Sequence, residues 1–209
     1  ACAATADLAV GARVPHVAAG VGAVLTQHRT DPRLGPRGLD LLASGCGAQA
    51  AIDALVASTD VARWRQLGAV DAGGASAAFT GAEVVTTHGT AHGAGCVAIG
   101  NVLADAGVPR AMVEAFAASA DEPLAERLVR ALEAAAAAGG EAAATRSAVV
   151  VVAVDVGMRL VDLRVDDDPD PLARLRALWD AYRPWVRDLR TRALDPDAAL
   201  GVPDPEEAR

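Results

Sequence analysis

The segment Ser147–Val154, reading SAVVVVAV, constrains the fold most. After Ser147 it carries no polar side chain and shows no alternation, so a strand built from it is buried on both faces. It is far too short to cross a bilayer, where a helix needs about 20 apolar residues. A strand buried on both faces needs cover on each side. A sheet held between a second sheet and helices provides it.

The neighbouring patterns agree. Strand signals fall at Ala1–Thr5, Pro15–Gln27, Arg65–Asp71, Ser76–Thr80, Glu83–Thr87, Gly95–Gly100 and Met158–Val165. Glycines within Pro15–Gln27 point to a bulge or a close backbone approach. Ala72-Gly73-Gly74 marks one hairpin turn, and Asp155–Gly157 marks another. Helical periodicity comes in pairs: Arg37–Ala43 with Ala48–Ala57, then Pro109–Ser119 with Glu122–Ala138. A last amphipathic helix, Pro171–Tyr182, continues after a kink at Pro184. Paired helices between hairpins do not form a parallel βαβ series. The expectation is an α+β domain with largely antiparallel sheets over residues 1–194, followed by a Pro-rich acidic tail, 195–209.

Composition removes several kinds of chemistry. The chain has 51 alanines and six aromatic residues, so its core is Val, Leu, Ile and close-packed Ala. All 19 basic residues are arginine, which excludes a Schiff-base lysine and a phosphate-loop lysine. A net charge of -8 argues against nonspecific nucleic-acid binding. Cys2, Cys46 and Cys96 are too scattered for a disulfide framework or a structural zinc site. With no long apolar stretch and no legible secretion signal, the expectation is a cytoplasmic protein with no membrane partner and no cofactor.

Polar clusters need weighing one by one. Asp162, Asp166, Asp167, Asp168 and Asp170 do not follow the spacing of a calcium loop, and they suit a strand end and a helix start. His88, His92 and Cys96 are four apart, but HGTAHGAGC is too rich in glycine to form the helix that would align them, so no metal is expected. Gly20-Val21-Gly22 lacks the third glycine of a dinucleotide fingerprint. Trp179, Tyr182 and Trp185 hold half of the aromatic residues, and aromatic side chains favour interface cores, so a homodimer is expected.

Taken together, AVGARVPHVAAGVGAVLTQ, DPRLGPRGLDLLASG, RQLGAVD, AFTGAE, GCVAIGNVLA, PLAERLVRALEAAAAAGGE and VDLRVDDDPDPLARL resemble a bacterial and archaeal Ntn-hydrolase-like family of unknown function. The resemblance implies a four-layer αββα sandwich and amide-bond hydrolysis by an N-terminal nucleophile, whose own α-amine is the base. The chain departs from this pattern. It starts at what looks like the family's second strand, Ala1 has no nucleophilic atom, and Cys2 is one residue inside. Two functions are therefore carried forward: an amidohydrolase for a small amide or peptide-like substrate, and a noncatalytic binding or scaffold protein on the same fold. For the first, the expected pocket gathers Thr5, Asp7, His16, Gln27 and Asn101, with the side-chain amides as oxyanion donors and His16 as proton relay.

Overall fold

The computed structural model describes residues 1–154 and 157–200. Strand β1 (Cys2–Ala6) pairs antiparallel with β8 (Ser147–Ala153), Cys2 opposite Val151, and β8 pairs antiparallel with β9 (Arg159–Val165). A second sheet runs β2 (Pro15–Ala18), β3 (Gly22–Gln27), β4 (Gln66–Asp71) and β5 (Ser76–Thr80), every neighbour antiparallel. Strands β6 (Gly89–Gly93) and β7 (Cys96–Gly100) form a separate hairpin. The fold is mixed α/β with antiparallel sheets, as the patterning predicts.

Strand β8 behaves as its composition demands. Val149 and Val151 face β2 and β3 together with Cys2, Ala4, Val17 and Ala23. Val150 and Val152 point the other way, into a cluster with Val129 and Leu132 of α4 (Leu124–Ala137) and Leu175 and Trp179 of α5 (Pro171–Tyr182). Each valine withdrawn from water contributes about 1.5–3 kcal/mol. Helices α1 (Leu34–Ala43) and α2 (Ala48–Ala57) cover the far face of the second sheet, where Leu42, Ile52 and Leu55 meet Val24, Leu67 and Ala77. Helix α3 (Val108–Ala118) lies beside α4 and over the β6–β7 hairpin.

Three local expectations change. Pro15–Gln27 is two strands, because Gly20, at φ 70°, turns the chain back where a side chain would be strained. Glu83–Thr87 is not a strand. The Glu83 N–H bonds to Arg63 O and the Val84 N–H to Gly81 O, so the backbone is spent in turns, and the ladder starts at Gly89. The glycine-rich HGTAHGAGC becomes the β6–β7 hairpin, with Gly95 at φ 68° in its turn. Of the turn expected at Asp155–Gly157, Asp155 and Val156 lie outside the described residues. Past Pro184, a short turn leads into α6 (Val186–Leu194), and residues 201–209 also lie outside the described residues.

Two of the three C-terminal aromatic residues are tied within the chain. Trp179 is buried and its Nε1 donates to Glu126 Oε2 at 2.6 Å, while the Tyr182 hydroxyl donates to Leu160 O at 2.9 Å. Of the three, only Trp185 is exposed. The acidic cluster is spent locally. Asp162 takes Arg159 and Arg164, Asp167 takes Arg146, Asp168 accepts the Asp170 N–H, and Asp170 caps α5 through the Ala173 N–H.

Candidate functional site

Gln27 ends β3 directly opposite Gln66, which begins β4. Gln66 has no exposed surface. Its amide nitrogen donates to Thr80 Oγ1 at 3.1 Å and to the Gly100 carbonyl at 3.0 Å. Its amide oxygen accepts from Gln27 Nε2 at 2.7 Å and from Asn101 Nδ2 at 3.1 Å. All four of its bonding positions are used, so its orientation is locked and it fixes both neighbouring amides. Gln27 Nε2 also lies 3.5 Å from the Ile99 carbonyl. Asn101 keeps one N–H with no acceptor among the described residues.

Gln27 and Asn101 of this amide cluster line a cavity of about 1010 Å³. Thr5, Asp7, Gln27 and Asn101 all line it, so four of the five predicted site residues share one space. His16 does not. Its half-buried ring lies against α1, where a Cβ added to Gly35 would sit 2.0 Å from His16 Cδ2, and its Nε2 is 3.4 Å from Arg13 O. Burial lowers its pKa, against the pull of the Arg13 carbonyl. Its strand alternation aims it outward from the inter-sheet core, which sequence alone does not reveal.

Thr5 and Asp7 differ in their bonding. The Thr5 hydroxyl donates to Glu141 Oε1 at 3.0 Å. Burial raises the Glu141 pKa, the Thr5 bond lowers it, and the nearby Asp7 charge raises it again. Glu141 is placed by the connection after α4, where Ala142 N–H bonds to Val102 O at 2.7 Å and Leu103 bridges Glu141. Asp7 is exposed at the rim and pairs with Arg13 at 2.7 Å. Cys2 lines the cavity, yet its thiol is buried and points at His16 O and Val24 O, 3.6 and 3.9 Å away. Burial pushes that thiol up, away from the reactive thiolate.

Sequence reasoning noted Gln66 only as a polar residue at a strand start and left it out of the expected pocket, and it missed Glu141, His28 and Arg29. Gln66 carries a usable signal: a glutamine within a strand that pairs with another glutamine-ended strand. His28, Arg29 and Val102 line the cavity with φ of 54°, 45° and 55°, conformations that cost non-glycine residues about 1–3 kcal/mol each. Such backbone concentrates at functional sites. Arg29 stacks over Trp64 at 4.1 Å, and His28 Nδ1 is 2.8 Å from Trp64 O. No group of three or more metal-ligating side chains occurs among the described residues. His92 instead meets Ser76 Oγ at 2.8 Å. Among them, too, no helix is long and apolar enough to cross a membrane.

A mixed α/β protein with antiparallel sheets, and a large cavity bordered by locked amides, is the class these features define. The chain belongs to the family of unknown function DUF1028, whose model matches residues 1–175. It is similar to the crystal structure of protein SPO2555 from Silicibacter pomeroyi, of the same family model. The two are 32% identical with a TM-score of 0.80, over 89% of this chain and 86% of that one. No curated protein matches.

Proposed function

We propose that this chain is an Ntn-hydrolase-like αββα sandwich and an amidohydrolase for small amide or peptide-like substrates. The fold part of this reading is supported by three stacked cores: α1 and α2 on the second sheet, sheet on sheet, and α4 and α5 on the first sheet. The single observation that carries the chemistry is the amide cluster. Gln66 holds Asn101, which lines the cavity and keeps a second N–H for a ligand, and a tetrahedral oxyanion needs such a preorganised donor.

The Cys2 thiol is sealed in the inter-sheet core. Among the described residues, the hydroxyl in the cavity already bonded to a carboxylate is Thr5. In this reading Thr5 Oγ1 attacks the substrate carbonyl and its proton passes to Glu141. The C–N bond then breaks as the leaving nitrogen takes that proton, and water hydrolyses the ester. A carboxylate with a raised pKa suits both proton steps. The test is release of amine from a panel of N-acyl amides and short peptides. Turnover that falls at least a hundredfold in Thr5→Val and Glu141→Gln, and about tenfold or more in Asn101→Ala, supports it. Turnover unchanged in Thr5→Val removes Thr5 as nucleophile, and no turnover on any member rejects the hydrolase reading.

The buried Cys2 thiol, whose pKa burial raises, favours a second reading, a noncatalytic binding protein on the same fold. Equilibrium binding of the same panel without turnover supports that alternative.

A further inference from the structure

The lining of the cavity leaves one cation unmatched. Its acidic residues and arginines are Asp7, Arg13, Arg29, Asp71 and Glu141. Asp7 and Arg13 neutralise each other at 2.7 Å. Asp71 accepts the N–H groups of Ala48, Gly73 and Ala75, and Glu141 accepts from Thr5. The Arg29 guanidinium has no hydrogen bond or ion pair among the described residues. It lies instead over the Trp64 ring, 4.1 Å from the centroid. A ring face attracts the cation but offers no lone pair, so the guanidinium N–H groups keep their capacity for an anion.

Backbone and neighbours hold that side chain in place. β3 is followed by two successive left-handed residues, His28 at φ 54° and Arg29 at φ 45°. Such conformations persist in non-glycine residues only where the surroundings fix them. Here His28 Nδ1 donates to Trp64 O at 2.8 Å, which ties the turn to the segment that carries the ring. Trp64 is anchored in turn by its N–H, which donates to Val61 O at 3.0 Å. Arg33, further along the chain, is spent on Asp31 through bonds of 2.9 and 2.8 Å.

We propose that Arg29 is the carboxylate-recognition residue of this site, so that the substrate is an amide with a carboxylate beside the reacting bond, as in an N-acyl amino acid or the C-terminal end of a peptide. The inference rests on the amidohydrolase reading for where the reacting bond lies. A guanidinium fork pairs with both oxygens of a carboxylate. Arg29 follows Gln27 by two residues, at most about 7 Å of backbone, so the charge stands close to the amide cluster. A phosphate dianion calls for a second cation, and Arg13 is already spent on Asp7. Stacking on Trp64 limits the rotamers that binding has to freeze. With a net charge of -8 the overall field repels anions, so the recognition is local.

The probes are N-acetyl-alanyl-alanine and its C-terminal amide, compared by calorimetry on the whole chain at pH 7. The acid is expected to bind at least tenfold more tightly than the amide, a comparison that needs no variant to fold. Arg29→Gln should bring the acid's affinity down to that of the amide. Arg29→Lys, which keeps the charge and loses the fork, should restore part of the difference. Equal binding of acid and amide by the parent protein, no binding of either at millimolar concentration, a preference that survives Arg29→Gln, or displacement of the acid by equimolar inorganic phosphate overturns the proposal. Release of the C-terminal amine is followed in the same samples. Preference for the acid without hydrolysis keeps Arg29 as a carboxylate site and rejects the hydrolase reading, whereas hydrolysis of both probes at equal kcat/KM does the opposite.

Discussion

The Thr5 hydroxyl meets the Glu141 carboxylate at 3.0 Å across 136 residues of sequence, at the end of β1 and just beyond α4. That pair joins the sheet to the helical connection on the cavity wall. Because burial raises the Glu141 pKa, the folded protein holds its proton more tightly than the unfolded chain does. Between the ordinary carboxyl value of 4.5 and the raised one, stability falls as pH rises, and above both the penalty is complete. Glu141→Gln keeps an acceptor for Thr5 and removes the charge. It should raise the melting temperature at pH 7, leave it nearly unchanged at pH 4, and flatten the profile between. A fall at pH 7 would show that the carboxylate is net favourable.

Gln66→Leu should be costly despite the near-equal size. It strands the Thr80 hydroxyl, the Gly100 carbonyl and the amides of Gln27 and Asn101. Buried groups left without partners cost about 1–3 kcal/mol each, with partial rescue by water. A total near 2–4 kcal/mol corresponds to roughly 5–15 °C in thermal denaturation for a chain of this size. Gln66→Glu should also destabilise, because it loses the donors to Thr80 and Gly100.

Glu126 is 3% exposed and gathers three donors: Arg130 at 2.6 Å, Arg176 at 2.7 Å and Trp179 Nε1 at 2.6 Å. Burial acts to raise its pKa, and the bonds from Arg176, Arg130 and Trp179 outweigh that, bringing it to about 2. A depressed carboxyl stabilises the fold above its ordinary pKa of 4.5, and the contribution is lost as pH falls from there to about 2. Urea titrations from pH 6 to pH 2 should show this loss in the wild type and a much flatter course in Glu126→Gln. Glu126→Ala, which leaves the buried Trp179 indole N–H without its acceptor while Arg176 keeps Glu133, should cost about 1–3 kcal/mol.

Gly35→Ala should cost about 1–3 kcal/mol, because the new methyl collides with the His16 ring at 2.0 Å. In a His16→Ala background the same change should be neutral or stabilising, since alanine is the better helix former by about 1 kcal/mol. Additive effects in this double-mutant cycle would mean that the ring and the helix do not constrain each other.

Val151→Asp places a carboxylate at a residue 1% exposed between the two sheets. The folded protein should lose several kcal/mol. A variant that melts within a degree or two of the parent would remove β8 from the centre of the structure.

How much of the site is legible in the sequence follows from how each residue is held. Gln27 and Asn101 stand at strand ends, Asn101 directly after Gly100, so local pattern alone reveals their type and position. Thr5 and Asp7 are readable for the same reason, at the end of the first strand. His16 looks equivalent, yet the two-residue alternation of β2 sends it toward α1, and the alternation depends on where the Gly20 turn sets the register. Glu141 gives no sequence signal, because only the return of the chain after α4 brings it to Thr5.

Local sequence alone determined the antiparallel strands and paired helices, the doubly buried Ser147–Val154 and the absence of lysine chemistry. Apolar period, turn glycines and composition act within a few residues of one another, so they can be read without the fold. Tertiary structure alone decided that Gln66 locks Gln27 and Asn101, and that Trp179 serves Glu126. Those relations join residues tens to more than a hundred positions apart. Their energy comes from burial and fully satisfied hydrogen bonds, which exist only once the layers have closed.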